Sequence, residues 1–375
     1  MKILIEAKAL KLSVSRLQGA LVDKSFAQIG LLATNKNLCF FAADRVLAIY
    51  STSECDSLQE GRVFVPAKIF TDVVREVPQG GKVSLEEDGA FLKLSVKEGS
   101  TFTMKTPTTK DAHWQDLPSL DDKCEQMVLP THLLSYMLSQ TVFCITEESP
   151  RAYGTVGFLH KLKSGQLCLV GTDGFRLSQS SMNFDVPGES LSKGICLSKR
   201  ALSELLRMCN EDAEEITISV SGDRTRLIAE TKNYQAYILL SAVKYPRYQS
   251  VLPKKQEYSA PVPRVVLQGA IKRVLLASDK TGALQINLQK EAMILSSKTL
   301  GSTEGREKIT LSGYNGSNRS LAVKGKFLAD IFSNTAGETV QMSFGTEDEP
   351  VSFYPQDEPE GCLSKHILVP IKETE

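Results

Sequence analysis

The sequence has little histidine, and what it has is scattered. His113, His132, His160 and His366 form no H-E-x-x-H and no pair at metal-ligand spacing on a helix, so no metal centre is readable. There are eight cysteines but no C-x-x-C. Cys39, Cys55, Cys124, Cys144, Cys168, Cys196, Cys209 and Cys362 stand singly, mostly beside apolar residues, which predicts free buried thiols in a reducing cytosol. No apolar run approaches the ~20 residues that span a bilayer. Glu6, Lys8 and Lys11 interrupt the first residues where a signal peptide keeps an apolar core, so the expected compartment is the cytoplasm, with no membrane partner. Net charge is absent as well: 44 Lys and Arg against 44 Asp and Glu. Bulk charge therefore names no partner, although a basic face can be balanced by an acidic one. The phosphate cradles G-x-x-x-x-G-K-[ST] and G-x-G-x-x-G are missing, and so is G-x-S-x-G. With no local signature of an activated nucleophile, no catalytic residue, metal or cofactor is expected.

What is present is a repeat. The 375 residues, 42% hydrophobic and 23% charged, have ordinary soluble composition and length for two or three domains of roughly 100–200 residues. Residues 65–85, 197–220 and 323–344 align. Each has a short helical stripe at i, i+3, i+4: Phe70, Val73 and Val74; Leu202, Leu205 and Leu206; Leu328, Ile331 and Phe332. Each stripe is followed by a polar turn and an alternating strand. A second helix is predicted before each copy, in residues 8–21, 130–143 and 263–277. The implied fold class is α+β: three like domains, each with two helices and antiparallel sheets. Pro- and charge-rich joins place them at 1–122, 123–254 and 255–375.

A strand–turn–strand also repeats. Residues 38–51 align with 167–180, Cys39 on Cys168 and Asp44 on Asp173, while the copy near Ala292–Leu300 is eroded. Asp173 is expected to cap its turn through the backbone, with Gly174 supplying a positive φ. Arg176 has no counterpart in the first copy. Its planar fork is suited to holding a backbone or carboxylate group.

The motif Thr172-Asp173-Gly174-x-Arg176-Leu177 is followed about seventy residues later by Tyr245-Pro246-x-Tyr248-x-x-Val251-Leu252-Pro253. Together with residues 61–78, the helix at 197–208 and the ending Ile367–Ile371, this order resembles the bacterial sliding clamps, the β subunits of DNA polymerase III. The resemblance implies a head-to-tail homodimer closing into a ring around double-stranded DNA, without reading its sequence and without catalysis. The implied partners are the replicative polymerase α subunit, a clamp loader that uses ATP, and other polymerases and repair proteins. These proteins insert short peptides with Gln, Leu and Phe or Leu anchors into a cleft. Carried over residue by residue, the cleft is Thr172, Gly174, Arg176, Leu177, Pro246, Val251, Phe327, Ile367, Val369, Pro370 and Ile371. The DNA contacts are Lys24, Arg75, Tyr153, Lys199, Arg200, Arg207 and Lys272, and the dimer joint is Phe102, Leu276 and Ala277. Basic residues recur along the repeat-related helices, adding Lys11, Arg16, Lys68, Arg264, Arg273, Lys324 and Lys326. Such phosphate contacts are sequence-independent and weaken steeply with salt.

There are departures from the family pattern. Lys24 stands for a common Arg, Ala152 for one of an aromatic pair, Phe175 for a common His, Phe327 for a Tyr and Ile371 for a Met. Glu147 and Glu148 make the loop before Tyr153 acidic. The competing reading is a clamp paralogue that does not load on DNA, or an accessory protein-binding module.

Overall fold

The computed structural model describes residues 1–22, 27–98, 100–109, 123–187, 190–211, 213–253, 255–299, 303–345 and 349–371. Among them are six α-helices: α1 (Ala7–Arg16), α2 (Ala67–Glu76), α3 (Thr131–Ser139), α4 (Lys199–Cys209), α5 (Arg264–Val274) and α6 (Gly325–Asn334). The predicted stripes are the buried helix faces. Phe70, Val74, Leu202, Leu205, Leu328, Ile331 and Phe332 are each 0% to 3% exposed, while Val73 and Leu206 at the stripe margins are half-buried. α1, α3 and α5 each lead into a short 3-10 turn, at Leu17–Ala20, Val142–Cys144 and Leu275–Ala277. Apolar spacing does not separate these turns from the preceding helix.

The chain packs as two compact units, residues 1–131 with 207–240 and residues 132–206 with 241–375. The repeat period does not set these units, because strands pair from one repeat to the next. In the first unit, an eight-stranded antiparallel sheet includes Asn37–Ala43, Leu47–Glu54 and Tyr234–Leu239 as neighbours. Leu47 lies opposite Ile238 and Ile49 opposite Ala236. A five-stranded sheet completes this unit and ends in Ser100–Pro107 as an edge. In the second unit, another eight-stranded antiparallel sheet includes Leu167–Thr172, Arg176–Met182, Cys362–Leu368 and Val351–Pro355 as neighbours. Arg176 lies opposite Leu368 and Ser178 opposite His366.

Each of these pairings obeys one rule: the strand leaving the aspartate turn joins the last strand of the following repeat. In the third copy the corresponding strand, Glu304–Thr310, is an edge of a four-stranded sheet with Ala292–Lys298 as its neighbour. The strand Leu167–Thr172 is buried at every position, which is why its sequence is a continuous apolar run instead of an alternation. The expected domain ends at 122 and 254 fall on residues outside the described set.

Candidate functional site

The turn between Leu167–Thr172 and Arg176–Met182 is assembled by its own side chains. Asp173 Oδ1 accepts the backbone N–H groups of Phe175 and Arg176, both at 3.0 Å. Thr172 Oγ1 accepts the Gly174 N–H at 3.0 Å and donates to the Arg176 carbonyl at 2.6 Å. Gly174 has φ +91°, which a Cβ would strain, and that Cβ would also collide with Arg151 Nη1.

The Arg176 fork holds both carboxylate and backbone groups. Arg176 is 6% exposed. Its Nε donates to Asp173 Oδ2 at 3.0 Å, Nη1 to Asp330 Oδ2 at 2.7 Å, and Nη2 to the Phe143 carbonyl at 3.0 Å. The guanidinium also lies 4.5 Å from the centre of the Phe327 ring. Two carboxylates, a carbonyl and a ring face thus compensate one buried cation, which ties the turn to α6.

Beside this turn opens a hollow of about 300 Å³. Of the predicted cleft residues, Thr172, Gly174, Arg176, Leu177, Pro246, Val251, Ile367 and Val369 line it. Phe327, Pro370 and Ile371 are not part of the lining. Phe327 is taken up by the Arg176 contact and by stacking on Phe175, with ring centres 6.2 Å apart. Ile371 uses its N–H to tie the chain to the Ala322 carbonyl at 2.7 Å.

The lining gains residues that sequence reasoning placed elsewhere or passed over: Tyr153, assigned to DNA, and Arg151, Phe175, Arg247, Ser250 and Pro350. The dipeptide spacing of Arg151 and Tyr153, and the position of Arg247 inside the Tyr-Pro-x-Tyr motif, were the available signals. Tyr245 donates to the Val170 carbonyl at 3.1 Å, and the buried Tyr248 lies 3.0 Å from His160 Nε2. The two tyrosines tie the segment that carries Pro246 and Val251 to the sheet, and burial pushes both phenols up and the His160 imidazole down.

The other expected positions are less uniform. Arg75 and Lys272 are exposed, and Lys199 and Arg200 are half-buried. Arg207 donates to the carbonyls of Ser15 and Arg16 and to the Tyr234 hydroxyl, at 3.1, 2.7 and 3.0 Å, at the C-terminal end of α1. Arg16 is itself buried and bound to Glu211, and Arg273 holds Glu307. The expectation of a basic face on the repeat helices is narrowed accordingly: part of it is spent on helix ends and ion pairs, and α3 has neither Lys nor Arg. Lys24 lies outside the described residues. At the expected joint, Phe102 and Leu276 are 47% and 87% exposed, whereas Ala277 is 5% exposed and faces inward.

Ser178 and His366 resemble a nucleophile and base, 2.7 Å apart, but the proton order is wrong for catalysis. Ser178 donates its hydroxyl to the Gln140 carbonyl, so His366 Nδ1 must donate to Ser178 and cannot accept its proton. Both residues are 0% exposed, and burial pushes the His366 pKa down to about 3. Burial likewise raises the thiols of Cys168 and Cys209 to about 12, which makes them unreactive.

An apolar hollow backed by a compensated charge cluster is the geometry of a binding site. Three family models match the chain: the DNA polymerase III beta subunit N-terminal domain over residues 1–115, its central domain over 128–247, and its C-terminal domain over 249–366. The chain belongs to the DNA polymerase III beta subunit family. It is similar to the beta sliding clamp of Proteus mirabilis, 23% identical over 383 residues, covering 99% of this chain and all of that one. The beta sliding clamp of Caulobacter vibrioides is 22% identical over 384 residues, with the same coverage. Among solved structures, the DNA polymerase III subunit beta of Pseudomonas aeruginosa superposes with a TM-score of 0.86 at 20% identity, each chain covered in full. The Thermotoga maritima beta subunit gives 0.86 at 21% identity, again over both whole chains.

Proposed function

We propose that this chain is a DNA sliding clamp. Two copies join head to tail into a ring around duplex DNA, which retains the polymerase by topology instead of affinity. The family match from end to end carries this reading. The hollow beside Leu177 serves as the docking cleft for the polymerase α subunit, the loader, and other polymerases and repair proteins, each offering a short anchored peptide. The three domains run 1–122, 123–254 and 255–375, and the compartment is the cytoplasm. No helix among the described residues is long and apolar enough to cross a membrane.

Ring closure extends the pairing rule within the chain. Glu304–Thr310 and Ser100–Pro107 are the two edges left over by that rule, one in each unit. Joining them between copies hides both edges. Phe102 borders an apolar hollow of about 570 Å³ with Val73, Val77, Pro78 and Val96, and Leu276 is a projecting apolar knob. Arg75, Lys199, Arg200 and Lys272 supply phosphate contacts that slide because they read no base.

The decisive experiment loads the chain onto nicked circular DNA with clamp loader and ATP, then linearises the DNA. Retention on the circle with loss from linear DNA is expected. Equal retention on both forms, or none on either, overturns the ring and leaves an accessory binding module. In sedimentation, Leu276→Asp is expected to be monomeric, and an intact dimer removes Leu276 from the joint.

A further inference from the structure

One wall of the hollow hangs on a single side chain. Residues 244–251 bring Pro246, Arg247, Ser250 and Val251 into the lining, and among them Tyr248 alone is buried. Its hydroxyl lies 3.0 Å from Nε2 of His160, on the strand Val156–Lys161. His160 is 7% exposed and is not part of the lining. The direction of this hydrogen bond follows from the other ring nitrogen. Nδ1 lies 3.1 Å from the Lys161 carbonyl, which only accepts, so Nδ1 carries the proton. In the neutral ring Nε2 is then the acceptor, and the Tyr248 hydroxyl donates to it. Burial favours the neutral ring, and no carboxylate is paired with it among the described residues.

The His160 ring also stacks on Phe158, with centres 4.7 Å apart, and Phe158 stacks on Tyr245 at 4.9 Å. Tyr245 has its own anchor on the Val170 carbonyl. A phenylalanine at position 160 would keep the stack. What histidine adds is an acceptor. That acceptor holds the 3-10 turn Tyr248–Val251, whose other three residues are exposed. A wall fixed in place before an anchored peptide arrives costs less to order on binding than a mobile one.

We propose that His160 is a positioning residue for partner binding: by accepting the Tyr248 hydroxyl it fixes the wall that bears Val251, without touching the bound peptide. This rests on the reading of the hollow as a peptide-docking cleft.

The test uses the full chain and a fluorescent peptide with Gln, Leu and Phe anchors, read by anisotropy. His160→Phe and Tyr248→Phe are each expected to weaken binding about three- to tenfold, the range for one lost hydrogen bond, chiefly through faster dissociation. The double variant is expected to bind no more weakly than the weaker single one, because both substitutions remove the same bond. It buries no orphan hydroxyl, so it reads the loss even where a single variant does not fold. His160→Gln, whose amide oxygen accepts in place of Nε2, is expected to bring binding back to within about twofold of the unaltered chain. Unchanged affinity in His160→Phe, losses that add in the double variant, or a glutamine variant as weak as the phenylalanine one each overturns the positioning role and leaves the cleft reading standing. Failure of the peptide to bind the unaltered chain overturns the cleft reading and the positioning role with it.

Discussion

At Asp44 and at Asp173 the same turn is built twice. Asp44 Oδ1 accepts the N–H groups of Val46 and Leu47 at 2.7 and 2.9 Å, and Asp173 Oδ1 accepts those of Phe175 and Arg176, both at 3.0 Å. The aspartate is therefore a backbone device common to both copies. The residues that open the outgoing strand differ. In the first hairpin they are Leu47, Ala48 and Ile49, with Ile49 set against Ala236. In the second they are Arg176, Leu177 and Ser178, with Ser178 set against His366. One strand pairing opens on apolar side chains, Leu47 against Ile238 and Ile49 against Ala236. The other holds a buried ion cluster, a cleft-lining leucine and a buried polar pair. The shared hydrogen bonds specify a fold, and the substituted side chains specify a site.

Exchanging the fillings tests this directly, and the largest effect is expected at Arg176. Arg176→Leu copies the first hairpin but strands Asp173 and Asp330, and it should destabilise the chain by about 3–5 kcal/mol in denaturant unfolding. Adding Asp330→Asn should recover part of that loss. A cost below about 1 kcal/mol for the single substitution would show that the cluster is dispensable. Leu177→Asp comes next, with an expected loss of about 100-fold, or about 3 kcal/mol, in anchored-peptide affinity by calorimetric titration. Ala48→Asp at the matching position should leave peptide binding unchanged, and undiminished affinity in Leu177→Asp would remove that residue from the cleft.

The buried polar pair predicts a pH effect. His366 titrates near 6.5 in the unfolded chain and about 3 in the folded one, so the unfolded state takes up the proton first. Stability is complete above the unfolded value and declines as pH falls through the window between the two. At pH 5 the loss relative to pH 7 should be about 2 kcal/mol, and His366→Asn should flatten it. An unaltered slope in that variant assigns the titration elsewhere. The smallest difference is expected between the caps. Asp44→Ala should cost about 1 kcal/mol for its backbone cap and Asp173→Ala roughly twice that, since Asp173 also holds Arg176. Equal costs would mean the ion pair adds nothing to the turn.

The parts legible in the residues were the local ones. The stripe on α6 is read from Leu328, Ile331 and Phe332 because a helix brings i, i+3 and i+4 together whatever surrounds it. The turn at Asp173 is read for the same reason, as its hydrogen bonds close within three residues. The second carboxylate on Arg176 was not legible, because Asp330 lies 154 positions away. Nor was the dual use of the helix arginines. Arg207 reads as a solvent-facing cation until α1 places two carbonyls beside it. Tyr153 was drawn toward DNA by a neighbouring-aromatic pattern, and only the cleft wall shows it beside Arg151 and Gly174.

By itself the amino-acid order determined three repeats, their helix pairs, the capped turns and the residues that resemble the clamp family, since each depends on periodicity or on side chains a few positions apart. Tertiary structure alone decided that strands join across repeats, that Phe327 supports the cleft from behind while Arg151 and Arg247 rim it, and that Ala277 turns inward. Those outcomes depend on which distant strands and helices exclude water together, and short-range spacing contains no record of that choice.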